Sequence, residues 1–201
     1  IAGIVKGASR GEGLGNKFLS HIRQVDAICQ VVRCFEDENI THVAGKVDPI
    51  ADIETINLEL VLADLESVDK RIARVAKIAK TKDKDAVAEL AVLEKIKPVL
   101  EEGKLARTIE FTDEELPIVK GLFLLTTKPM LYIANISEDD VMEGGHNQYV
   151  QLVEDYAAKE DAEVVVICAK IEEEVAELEE EEKQAFPEEM GIEVSGLDIL
   201  I

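Results

Sequence analysis

The chain has 201 residues, 47% of them hydrophobic, and a formal net charge of −21 at pH 7. This length and apolar content suffice for the core of one large domain, or of a domain with an insertion. The surface of so acidic a chain repels phosphates, which argues against nucleic acid as a partner of the surface as a whole. No window approaches the roughly 18 uncharged apolar residues of a membrane span, and the given sequence shows no secretory signal, so we expect no membrane partner.

The chain opens on a strand-like stretch, residues 1–5, followed by a polar segment that is rich in glycine. Glycine lets the main chain approach a ligand closely, and the free N–H groups at the start of the next helix attract an anion. Residues 3–16 are therefore predicted to bind phosphate, and a plain surface loop is the alternative.

Short runs of apolar and β-branched residues predict strands at residues 26–35, 130–135 and 163–168. Because these runs are almost continuously apolar, we expect parallel strands that are covered on both faces. Strands that alternate with helices predict a doubly wound α/β sheet. Asn147, which follows two glycines, is the predicted N-cap of one of these helices. The predicted helices of the sheet cover residues 14–24, 113–122, 147–159 and 170–182.

Residues 52–102 show a different pattern, without a strand-like run. Apolar residues recur there every three or four positions, in two stretches that are joined near residues 81–84. A narrow apolar seam on each stretch predicts an antiparallel coiled-coil hairpin. We therefore divide the chain into an α/β domain, residues 1–51 and 109–201, and an inserted helical arm, residues 52–108.

The arm carries a concentration of positive charge. Residues 70–84 contain seven Lys or Arg and one Asp, in a chain that is strongly acidic as a whole. Such an arm is suited to contact with RNA or a ribosome, whereas the alternative is that exposed cations only keep a helical hairpin soluble. The residues predicted to make the contact are Lys70, Arg71, Arg74, Lys77 and Lys80.

The three cysteines indicate a reducing compartment. Cys29, Cys34 and Cys168 lie in apolar runs, which is typical of buried free thiols. Their odd number and their spacing predict neither a disulfide nor a zinc site. We therefore expect a cytoplasmic protein with no metal site in this chain.

Ligands of an open α/β sheet bind beyond the carboxyl ends of its strands, so the glycine-rich loop and the loops after Asn135 and Cys168 should converge. Asn135 and Glu138 place an amide and a carboxylate three residues apart, which can grip the edge of a base, and the Ala169 N–H is placed for an exocyclic atom of that base. Taken singly, Asn135 would equally serve as a turn cap, and Glu138 and Lys170 as solvated charges.

Four segments of the sequence are similar to the Obg-like ATPases, the YchF branch of the P-loop NTPases related to translation factors. They read IAGIVKGASRGEGLGNKFLSHIR, VVRCFEDENITHVAGKVDPI, YIANISEDD and VVVICAKIE. The resemblance runs over essentially the whole chain. It implies a G-protein-like P-loop NTPase fold with a mostly parallel sheet, here partial, which carries the inserted antiparallel coiled-coil hairpin.

The resemblance also implies roles for the first residues. The Gly3 N–H would sense the γ-phosphate, and Ile4 would stand where related proteins keep the Gln that orients the attacking water. An aliphatic side chain cannot orient water, so intrinsic hydrolysis should be slow. The expected cofactors are Mg²⁺, with its ligands outside this chain, and K⁺ as a further candidate.

Base selection follows from the same comparison. Guanine-specific relatives use an Asn-Lys-x-Asp motif, in which Ile136 here replaces the Lys and Glu138 replaces the Asp. A carboxylate that is one methylene longer should hold the two donors of guanine poorly, which implies ATP binding with weak selectivity against GTP. The resemblance gives Ile136 a contact with the nucleotide, and Cys168, Ala169 and Lys170 complete the expected nucleotide-binding set.

No G-x-x-x-x-G-K-[ST] sequence is present, and no segment corresponds to the TGS domain of the family. We therefore expect this chain to be the middle of a longer protein and to be inactive by itself. The expected function of the whole protein is that of a regulatory NTPase, which binds and slowly hydrolyses ATP, with GTP as a second nucleotide, and contacts the ribosome. The alternative is a non-enzymatic coiled-coil adaptor on a degenerate α/β scaffold.

Overall fold

A computed structural model describes residues 19, 21–37 and 46–177 of the chain. The chain divides into two compact units, one made of Ile1–Ile28 and Glu54–Pro129 and the other of Cys29–Ile53 and Met130–Ile201. Among the residues described, no helix combines the length and the apolar character needed to cross a membrane. The described elements are β1 (Ile28–Arg33), α1 (Pro49–Ala79), α2 (Lys84–Glu101), a short 3₁₀ helix (Ala106–Thr108), α3 (Leu116–Leu122), β2 (Met130–Asn135), α4 (Glu138–Met142), α5 (Gln148–Lys159), β3 (Glu163–Ile167) and α6 (Ala169–Glu177).

The second unit is built on a sheet with the strand order β1-β2-β3. Strands β2 and β3 pair in parallel, in a register that runs from Leu131 opposite Glu163 to Asn135 opposite Ile167. Helix α5 packs on both strands and buries Val150, Val153 and Ala157. The predicted parallel strands of an α/β sheet are therefore confirmed for β2 and β3.

Asn147 begins α5, as the sequence predicts. Its side-chain oxygen accepts hydrogen bonds from the N–H groups of Tyr149 and Val150, at 2.9 and 3.0 Å. These donors have no partner within the helix, so the cap satisfies two of the groups that every helix leaves open at its start. The helix predicted over residues 113–122 begins later, at Leu116, because Pro117 favours the first turn of a helix.

The first unit contains most of α1 and all of α2. The predicted connection between these helices is confirmed, because α1 ends at Ala79 and α2 begins at Lys84. Asp83 caps α2 by accepting a hydrogen bond from the Ala86 N–H at 2.9 Å. The predicted division into an α/β domain and an arm of residues 52–108 stays a prediction, since the unit that contains the arm extends to Pro129.

The two helices run antiparallel and share an apolar core. Lys97 pairs with Asp69 at 2.7 Å and Arg71 pairs with Glu89, so a later position on α1 meets an earlier position on α2. The buried residues that these helices contribute to their common core are Val61, Val68, Val75, Ala86, Val92, Leu93, Ile96 and Leu100.

Replacing Ile96 by Ala should lower the free energy of unfolding by about 2–5 kcal/mol, because the side chain is fully buried and its removal leaves a cavity. The matched control is Ile78→Ala on α1, where 47% of the residue is exposed. There we expect a loss below about 1 kcal/mol. Urea titration of the intact protein, followed by circular dichroism, measures both. Equal losses at the two positions would contradict the packing described here.

Candidate functional site

A cavity of about 500 Å³ lies beyond the carboxyl ends of β2 and β3, within the second unit. Its wall combines the segment after β1 with the segments after β2 and β3. The residues that line it are Phe35, Glu36, Asp37, Asn135, Ile136, Ser137, Glu138, Asp139, Cys168 and Lys170. Two of the three predicted loops therefore meet at one cavity. The third loop, with Gly3 and Ile4, lies outside the described residues.

Backbone pairing fixes the positions of these two loops. The Ile136 N–H donates to the Ile167 carbonyl at 2.9 Å, which extends the β2–β3 ladder to the point where both strands end. The Asn135 side-chain oxygen then accepts a hydrogen bond from the Ala169 N–H, also at 2.9 Å. In the structure described the two loops use this N–H to bind each other, and its predicted contact with an exocyclic atom of a base stays a prediction.

Glu138 forms an ion pair with Lys170 across the cavity wall. The hydrogen bond that Lys170 donates to this carboxylate is the main cause of the raised pKa of Lys170. Both side chains are substantially exposed, at 40% and 63%, so the pair is weak and can be exchanged for a ligand. A base that uses the Glu138 carboxylate therefore competes with Lys170 for it.

Ile136 also lines the cavity, but only 3% of the residue is exposed. Ile136 can therefore offer a ligand only a small apolar contact area. The next residue, Ser137, caps the short helix α4, because its hydroxyl accepts from the Asp140 N–H while the Asp140 carboxylate accepts from the Ser137 N–H, both at 3.1 Å. Burial acts to raise the pKa of Asp140, yet the hydrogen bonds from Ser137 and Asn147 outweigh it and lower that pKa.

The sequence interpretation did not include Phe35, Glu36 and Asp37. The Cys34 N–H donates to the Asn135 carbonyl at 2.8 Å, and this contact brings the end of β1 to the cavity. The Arg33 guanidinium lies 4.8 Å from the centre of the Phe35 ring and covers it. Phe35 ends a predicted strand, and Glu36 and Asp37 directly follow it, so the rule that ligands bind beyond strand ends would have found them.

The described lining of the cavity is acidic. It contains four carboxylates, from Glu36, Asp37, Glu138 and Asp139, and one ammonium group, from Lys170. Such a wall repels the phosphates of a nucleotide but accepts the N–H donors of a neutral base. The cavity is therefore suited to the base of a nucleotide and not to its phosphates.

The five cations predicted for the arm do not have equal surroundings. Lys70 pairs with Glu66 and Arg71 with Glu89, and the latter hydrogen bond is the main cause of a raised pKa at Arg71. Arg74, Lys77 and Lys80 are exposed and form no ion pair among the residues that the structure describes. These three are therefore the ones available to an anionic partner.

The described part of the chain contains no group of three or more His, Cys, Asp or Glu residues that could hold a metal ion. The three cysteines are free. Cys34 and Cys168 are buried as predicted, but the prediction of a buried Cys29 is wrong. Alternate residues of β1 face opposite sides of the sheet, and Cys29 lies on the side that is exposed among the residues the structure describes.

Parallel strands that end at a base-sized cavity, with an Asn-x-x-Glu loop on one strand, define part of a P-loop NTPase fold. The chain is similar along its whole length to proteins named ribosome-binding ATPase YchF. It is 67% identical to the protein from Bacillus subtilis (strain 168), of which it covers 55%, and 54% identical to that from Haemophilus influenzae, of which it covers 54%. Over its full length the chain is therefore similar to part of the YchF proteins.

A solved structure shows the same likeness. The chain is similar to the YchF GTPase of Schizosaccharomyces pombe, with a TM-score of 0.77 and 36% identity over 93% of this chain and 51% of that one. The chain thus spans about half the length of the relatives that it matches. No protein-family model matches it.

Burial raises the pKa of the Cys34 thiol to about 12, and the nearby Asp140 carboxylate adds to this effect. At about pH 8 the native thiol is therefore neutral and shielded, whereas Cys29 is exposed. In the intact protein, labelling with a disulfide reagent should modify Cys29 well before Cys34. Peptide mapping assigns the two sites, and urea should bring their rates together. Equally fast labelling without urea would contradict the burial of Cys34.

Proposed function

We propose that the intact protein is a regulatory ATPase whose base-binding site is the cavity beyond β2 and β3. The observation that carries this proposal is the meeting of the Asn135 and Cys168 loops at one acidic cavity. The names of the relatives, ribosome-binding ATPase and GTPase, support nucleotide binding by the same fold.

The acidic wall supports separate binding sites for the base and for the phosphates. The base would sit against the loops that follow β2 and β3, while the phosphates would lie against the glycine-rich segment and against residues outside this chain. Ile4 brings no polar group to an attacking water, so we expect slow hydrolysis. The described residues contain no group of three or more His, Cys, Asp or Glu that could hold a metal ion, so we expect the ligands of Mg²⁺ to lie outside them, and K⁺ is a further candidate cofactor.

We infer that the arm contacts the ribosome through its exposed cations. Arg74, Lys77 and Lys80 lie on α1 and on the residue after it, and none of them is paired within the described residues. Phosphate contacts by Lys and Arg are favourable because they release counterions. A protein with these partners would act in the cytoplasm.

Shortening one carboxylate tests base selection. Glu138→Asp should improve the geometry for the two donors of guanine, so we expect GTP affinity to rise relative to ATP affinity by about tenfold. The control is Asp139→Glu, which changes the neighbouring carboxylate of the same wall by one methylene. Calorimetric titration of the intact protein measures both nucleotides. An unchanged ratio would exclude Glu138 as a selectivity residue, and a wild-type protein that binds neither nucleotide would favour the adaptor alternative.

Charge reversal tests the arm. Lys77→Glu combined with Lys80→Glu should weaken co-sedimentation with ribosomes by about tenfold or more, and should flatten its dependence on salt. Lys104→Glu combined with Lys120→Glu changes the net charge equally but lies outside the exposed cation cluster. Equal loss in the two double variants would assign the effect to net charge, and no loss in the first would exclude the arm as the contact.

A further inference from the structure

Asp64 is a fully buried carboxylate on α1 that makes four hydrogen bonds. One of its oxygens accepts from an Arg23 guanidinium nitrogen at 2.9 Å and from the Leu125 N–H at 3.0 Å. The other accepts from the N–H and the hydroxyl of Thr126, at 2.7 and 2.8 Å. A buried charge is tolerated only when it is paired and hydrogen-bonded, so the positions of all these groups depend on one another.

The Arg23 guanidinium group joins its own segment to α1 and to the residue that follows α3. Besides Asp64, it donates to the Ala63 carbonyl at 3.1 Å and to the Ser67 hydroxyl at 3.0 Å, both on α1. It also donates to the Phe123 carbonyl at 3.2 Å, directly after α3. A planar guanidinium can reach several acceptors at fixed angles, and a lysine ammonium cannot replace it in this geometry.

The position of Arg23 in the sequence connects this network to the proposed phosphate-binding segment. Arg23 follows the glycine-rich segment, residues 3–16, against which the proposed function places the phosphates. Asp64 lies on α1, the helix that also carries the exposed cations Arg74 and Lys77. At about 1.5 Å per residue, Lys77 is roughly 20 Å further along this helix than Asp64.

We propose that Arg23 is a positioning residue that couples the nucleotide state of the protein to the arm. This inference rests on the proposed function. A rearrangement before Arg23 in the chain that pulls the guanidinium away leaves Asp64 buried with an unpaired charge, which α1 and the segment at Leu125 and Thr126 must move to relieve. The network would then exchange between two arrangements, with and without Arg23 on Asp64, and such an element can transmit binding at one site to another.

The test measures coupling in the intact protein. Ribosome affinity is determined by co-sedimentation with and without ATP and Mg²⁺, and ATP affinity by calorimetry with and without ribosomes. In the wild type we expect ATP to change ribosome affinity by at least about fivefold, and ribosomes to change ATP affinity by the same factor. In Arg23→Met both factors should fall to within about twofold of one, while ATP affinity without ribosomes stays within about threefold.

Two further variants separate coupling from simple loss of structure. Arg23→Lys keeps the positive charge but not the fork, so its coupling should also fall, and it replaces Arg23→Met if that variant does not fold. The matched control is Lys128→Met, which removes a hydrogen bond to the Val25 carbonyl, at 2.5 Å, close to Arg23 in the chain and leaves Asp64 untouched. Its coupling should match that of the wild type.

The outcomes are distinguishable. Wild-type coupling in Arg23→Met, or equal loss in Lys128→Met, would overturn the role of Arg23. A wild type that binds ATP and ribosomes without any coupling would overturn it as well and leave the proposed function standing. A wild type that binds no ATP would overturn the proposed function itself, and the inference with it.

Discussion

The parallel pairing of β2 with β3 decides where the candidate site lies. Because the register places Asn135 opposite Ile167, both strands end at the same level of the sheet and their following loops start side by side. The Asn135 side chain can then bind the Ala169 N–H, and α6 begins at that same residue. A shift of one residue in this register would turn each side chain of β3 to the other face and separate the two loops.

The net charge of the chain does not show how unevenly its charges are distributed. The net charge of −21 coexists with exposed cations near the end of α1 and with an acidic wall around the cavity. The buried carboxylate of Asp64, in contrast, is compensated by the hydrogen-bond donors around it. Surface charges can thus select partners, while Asp64 fixes the geometry of its own unit.

The sequence predicts the elements better than the contacts between them. Hydrophobic periodicity and cap residues are local signals, so β2, the start of α5 at Asn147 and the connection between α1 and α2 could be predicted. The Glu138–Lys170 pair and the Arg23–Asp64 network join residues that lie 32 and 41 positions apart, and only tertiary packing brings them together. The exposure of Cys29 depends likewise on which face of β1 is covered.

The hydrogen bond between Asn135 and Ala169 also has a consequence for the energetics of recognition. Because the chain's own groups join the two loops, an incoming molecule does not have to order them, and little conformational entropy is lost on association. Affinity at this wall then depends mainly on the interactions that the ligand forms with it and on the water that the ligand displaces. A preformed rim of this kind also permits rapid exchange, because neither arrival nor departure has to wait for the loops to close or open.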